Sequence, residues 1–80
     1  MRAILKHETR AGTFFIARST SGTFHPVFDQ ESLGSYRSIA LAIDDLVNDA
    51  TDSVLHPITS ELLDTSLLGL SDDPAEWERV

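Results

Sequence analysis

The chain has no cysteine, so neither a disulfide framework nor a thiolate metal site can supplement its core. Cations are scarce, with six Lys and Arg against thirteen Asp and Glu for a net charge of −7. So acidic a chain repels phosphates on most approaches, which disfavours direct binding of nucleic acid. Long apolar runs are missing too: nothing nears the roughly 18 residues of a membrane span, and MRAILKHETR is too weakly apolar for a signal peptide. A reducing cytoplasm, with no membrane contact, is the expected setting. There is no G-x-G-x-x-G, no P-loop and no Gly-x-Ser-x-Gly elbow, so neither a phosphate cradle nor a hydrolase nucleophile is written here. A chain of 80 residues and 8.8 kDa is one domain (1–80). It buries only about 60–65% of the surface its unfolded form exposes. That leaves little room for a substrate pocket of several hundred Å3 beside the core. A non-enzymatic protein with no cofactor and no metal is the expectation.

What is present is distributed unevenly. Residues 1–40 hold five Lys/Arg against three acids, while residues 41–80 hold Arg79 alone against ten acids. Most of the second-half charge follows one stretch, GSYRSIALAIDDLVNDATD (34–52). Tyr36, Ile39, Ile43, Leu46, Val47 and Ala50 recur there at helical spacing and make one apolar stripe. Ser38 stands where its hydroxyl can cap the first turn. The spacing predicts a helix over about 38–50 whose other face carries Asp44, Asp45, Asn48, Asp49 and Asp52. Asp45, Asp49 and Asp52 fall at i, i+4 and i+7, with carboxylates about 6 Å apart, close to the spacing of successive phosphates on one strand. Like charges at i, i+4 and acids near a helix C-terminus each cost a few tenths of a kcal/mol. This arrangement therefore points to a partner-binding acid face. On that wet face, Asp45→Ala should change stability by less than about 0.5 kcal/mol. Asp72, Asp73, Glu76 and Glu78 form a second acidic patch near the end of the chain.

The rest of the chain reads as α+β. Strands are expected at about 2–7, 13–19 and 23–28, joined by turns at ETRAG and STSG, with Pro26 demanding an edge or a bulge. The result is an antiparallel two- or three-stranded meander packed on one central amphipathic helix. A core of Phe14, Ile16, Phe24, Phe28, Tyr36, Ile39, Ile43, Leu46 and Val47 follows from period 2 in the strands and 3.6 in the helix. After Asp52 a Leu-rich extension is expected to form short helical turns at about 59–68, capped by Thr59 or Ser60 and closed by Gly69, and at about 73–79. The second has Pro74 at its first position and a capping-box pattern from Asp73 to Glu76, and Trp77 should dock on the core.

His7, His25 and His56 are scattered and form no metal-type pair. His25 lies near Asp29 and Glu31 in sequence, which permits a carboxylate-oriented imidazole; a small hydrolase using His25 is the enzymatic alternative.

The motifs G-T-F-H-P-V-F (22–28), L-G-S-Y (33–36), A-I-D-D-L (42–46), D-T-S-L-L-G-L (64–70) and E-W-E (76–78) resemble those of a group of small uncharacterised bacterial proteins. In that group the helix is followed by Gly-Gly-His, where this chain has Asn48-Asp49-Ala50-Thr51. The shared residues are turn and core positions, so the resemblance implies a fold rather than an activity. In size and acidity the chain is similar to phage-borne anti-CRISPR proteins, several of which present acid to the DNA-binding surface of a Cas subunit. The hairpin followed by D-x-x-x-L-G-x-Y and an acidic helix also resembles HicB-type antitoxins, without a DNA-binding tail. The leading expectation is an acidic module that blocks a basic, nucleic-acid-binding surface of a bacterial partner, acting as a monomer or weak homodimer. An antitoxin or a self-associating structural module is the alternative.

Overall fold

The computed structural model describes residues 1–80. Strand β1 (Arg2–Thr9) turns at Arg10-Ala11 into β2 (Gly12–Arg18), and β3 (Phe24–Phe28) returns beside it. Gly12 is required at the first turn: its φ is +136°, and a Cβ there would meet the Phe28 ring at 3.0 Å. A two-residue turn at Asp29 and Gln30, both at positive φ, leads to β4 (Glu31–Ser32). The sheet runs β4-β3-β2-β1-β7, antiparallel throughout, with β7 (Glu78–Arg79) paired on Leu5 and Lys6. It therefore has five strands where two or three were expected. The two additions are edge strands of two residues each, too brief for apolar periodicity to reveal.

Pro26 sits within β3 opposite Ile16, with no bulge there. The Phe24 N–H faces Tyr36 at 2.8 Å, so the donor that Pro26 lacks would point to that same side. There the Pro26 carbonyl accepts from Leu33 N–H at 2.8 Å, and paired β4 begins only at Val27. The irregularity of the sheet lies instead in β1, between Ala3 and Leu5.

Helix α1 (Ile39–Val47) opens on Ser38, whose hydroxyl accepts from Leu41 N–H at 3.1 Å. Its apolar face packs on β2 and β3. Phe14, Ile16, Phe28, Ala42, Ile43 and Leu46 are buried together, and the Phe14 and Phe28 rings stack at 4.3 Å. Phe24, Tyr36, Ile39 and Val47 pack at the margin of this core, half-buried. No helix is long and apolar enough to cross a membrane.

The second half departs from the expected helical turns. Strands β5 (Val54–Leu55) and β6 (Leu62–Leu63) form a separate hairpin, so residues 59–62 belong to a hairpin loop and strand, and Thr59 and Ser60 cap no helix. Helical geometry is limited to single 3-10 turns at Thr65–Leu67 and Pro74–Glu76. Pro57 and the β-pairing of Leu55 with Leu62 favour a hairpin where a count of leucines suggests a helix. Trp77 docks as its size demands: it is buried, donates from Nε1 to the Ser71 carbonyl at 2.9 Å, and packs edge-on against His7.

Candidate functional site

The residues expected to form one acid face are divided by the end of α1. The helix stops at Val47 because Asn48 and Asp49 close it: Asp49 adopts φ 56°, Ala50 N–H donates to the Asp45 carbonyl at 2.8 Å, and Asp49 N–H to that of Leu46 at 3.3 Å. This is the Schellman pattern, with aspartate where glycine is usual. Apolar residues at 47 and 50 keep helical spacing past that point, which is why the sequence reading extends the helix to 50. Asp49 and Asp52 therefore lie outside the helix, and the carboxylates form no i, i+4, i+7 row.

Each carboxylate has its own surroundings. Asp44 is exposed, and Asn48 turns back to it, donating from Nδ2 to the Asp44 carbonyl at 2.8 Å and to its Oδ1 at 3.3 Å. Asp45 is half-buried against Tyr36. Burial first, then the hydrogen bond to Asp45 and the charges of Asp45 and Asp52, push the Tyr36 phenol up to about 12. Asp49 is structural: its Oδ1 accepts from Thr65 N–H at 3.2 Å and lies 3.3 Å from the Thr65 hydroxyl. Asp52 is tied by its backbone, donating to the Leu33 carbonyl at 3.0 Å, and its side chain is exposed. Asp44 and Asp52 thus have the carboxylates most available to a partner.

The second patch is similarly occupied. Asp73 caps the 3-10 turn through Ala75 N–H at 2.9 Å. Glu76 accepts from the Ser71 hydroxyl at 2.6 Å, and it is Ser71 Oγ that receives the Asp73 N–H at 3.1 Å, so the reciprocal capping box does not close. Glu78 makes the molecule's one ion pair, 3.8 Å from Lys6. Asp72 is exposed and makes no such contact.

The histidines are engaged by neutral groups. His25 bonds the Thr23 hydroxyl at 2.9 Å through Nε2 and the Ser32 hydroxyl at 3.0 Å through Nδ1, with neither Asp29 nor Glu31 on the ring. Ser32 donates onward to the Gly34 carbonyl at 3.1 Å. With its hydroxyl proton directed at the Gly34 carbonyl, Ser32 is placed to accept a hydrogen bond from the His25 Nδ1–H tautomer. His7 accepts from Ser71 N–H at 3.3 Å, and His56 accepts through Nδ1 from Ile58 and Thr59 N–H at 3.1 and 3.3 Å. No group of three His, Asp or Glu side chains comes together to hold a metal.

Sequence reasoning missed the outer face of the β5–β6 hairpin. Ile58 is 86% exposed, Leu62 70% and Leu55 55%. The available signal was a leucine run interrupted by Pro57, which a two-residue strand period would have split into inward and outward positions. Comparison with known protein families, curated proteins and solved structures finds no match to this chain.

Proposed function

We propose that this chain is a non-enzymatic acidic binding module that works in the cytoplasm by occupying a basic, nucleic-acid-binding surface of a bacterial partner, as an anti-CRISPR inhibitor occupies a Cas subunit. One observation carries the reading: from Ser38 to Glu78 there are ten carboxylates and no Lys or Arg, and only Glu78 of those ten is ion-paired within the molecule. Carboxylates that nothing inside the fold neutralises project their field outward, speed encounter with a cationic surface and repel anionic ones. The acid is spread over the end of α1, the hairpin and the tail. The recognition surface is accordingly a broad negative field rather than a phosphate-like row along one helix. Monomer or weak homodimer is the oligomeric state that goes with so small a core.

Capture of partners on the immobilised protein, followed by elution with salt or with duplex DNA, tests this. The expected partners are nucleic-acid-binding proteins, released by salt and displaced by DNA. Reversal of Asp44 and Asp52 to Lys together should weaken capture far more than Glu8→Lys. Partners that stay bound in high salt and in excess DNA would overturn the reading.

A further inference from the structure

Alternation along β5 and β6 divides the hairpin's leucines into two sets. Val54 is buried in the core and Leu63 packs against it, while their neighbours Leu55 and Leu62 pair across the strands on the outer side. A hairpin that merely covers a core is expected to be polar on its outer side. Here that side is apolar, and folding does not explain it, because Leu55, Leu62 and the tip residue Ile58 remain between 55% and 86% exposed.

The tip is also held in place. His56 N–H donates to the Glu61 carbonyl at 2.8 Å and Ser60 N–H to that of His56 at 3.0 Å. His56 Nδ1 accepts from two tip amides, and Thr59 Oγ1 accepts from Glu61 N–H at 3.3 Å. The backbone that presents Ile58 to water is thus fixed before any partner arrives, which lowers the entropy cost of binding. Charge says what the partner is. Glu61 and Asp64 bracket Leu62-Leu63 in sequence, and Asp29 and Glu31 line the groove between the hairpin and the sheet, together with Leu55 and His56. Arg10 is the one cation in the grooves bordering the hairpin. An apolar patch with an acidic rim is complementary to a segment in which aliphatic or aromatic side chains are interleaved with Lys and Arg. A second copy of this chain would bring a net charge of −7 against its own, and anionic lipid or nucleic acid would be repelled.

We propose that the outer face of the β5–β6 hairpin, anchored by Leu55, Ile58 and Leu62, is the docking surface of this protein for a basic amphipathic protein segment. The inference rests on the acidic-module reading and adds to it that affinity comes from apolar anchors while the carboxylates select the cationic partner. The test uses two synthetic probes of equal length, a Leu/Lys peptide and an oligolysine, titrated into wild type, Ile58→Ser/Leu62→Ser, and Leu41→Ser as an exposed aliphatic control on α1. Because every altered side chain is exposed, each variant should melt close to wild type. The Leu/Lys peptide is expected to bind more tightly than oligolysine and to lose about tenfold or more in affinity with the hairpin variant alone. Salt-sensitive binding of both peptides that the hairpin variant leaves unchanged would overturn this docking face while the acidic-module reading stands. Failure of both peptides to bind wild type would overturn both. Self-association that Ile58→Ser/Leu62→Ser abolishes, or binding to anionic vesicles through the same residues, would overturn the choice of occupant.

Discussion

The Thr65 hydroxyl is 1% exposed as a residue, donates to the Leu46 carbonyl at the end of α1, and lies 3.3 Å from the Asp49 carboxylate. Thr65→Val keeps the shape and removes the donor, leaving a buried carbonyl without this partner. A loss of about 1–3 kcal/mol is expected, read as a lower urea midpoint at unchanged slope. A variant as stable as wild type would show that the hydroxyl adds nothing net. Tyr36, the only tyrosine, can be titrated by its own absorbance. Its phenol is raised from 10.0 to about 12 in the folded state, so folding retains the proton that the unfolded chain gives up. The stability this confers is complete below pH about 10 and is lost as the pH rises through about 12. Asp45→Asn should move the midpoint back toward 10, because two of the causes are Asp45's. A folded midpoint already at 10 would remove that role from Asp45. The same proximity corrects the expectation that Asp45 sits on a wet face: it is half-buried, and its charge acts on Tyr36.

Among the elements, the terminal segment depends most on what it docks against. Neither the single 3-10 turn at Pro74–Glu76 nor the two-residue β7 is long enough to persist alone. Trp77, between them, is buried in the core cluster and fixes both through its indole. Trp77→Ala should cost about 3–5 kcal/mol, most of a total expected near 5 for a chain of this size. Trp77→Phe, which loses the bond to Ser71 and part of the ring packing, should cost less, about 1–3. Circular dichroism melts of the pair check this ordering, and equal losses would mean that a phenyl ring recovers none of the docking.

At the scale of the molecule, the segregation of charge sets the response to salt. The shorter dimensions are 22 Å, against a Debye length of about 30 Å at 0.01 M and about 8 Å at 0.15 M. Carboxylates across the whole molecule therefore repel one another in dilute buffer and hardly at all near physiological salt. Stability should rise between these two conditions, since thirteen acids against six Lys and Arg leave repulsion the larger sum and a single cation–anion pair is in contact. A melting temperature that falls over that range would mean unrecognised attractive pairs outweigh the repulsion.

Local patterning along the chain is enough for the α+β class, the three long strands, the helix start at Ser38 and most of the residues that pack between sheet and helix. Period 2, period 3.6 and a capping hydroxyl are local signals, and Phe14, Ile16, Ile43 and Leu46 obey them. It also determined the burial of Trp77, since so large a side chain beside a short turn has nowhere else to go. The rest comes from contacts made between distant segments. The end of α1 is a Schellman turn on Asp49, at positive φ without being glycine, whose carboxylate also bonds Thr65 sixteen residues away, and nothing within the helical stretch announces that contact. Strands of two residues at β4, β5, β6 and β7 exist only because a partner strand is already in place, and so few residues carry no period. The acid is legible as composition, but which carboxylates face water is not. That depends on which of them the fold engages with Tyr36, Thr65, Ser71 and Lys6, and the choice is made across the chain rather than along it.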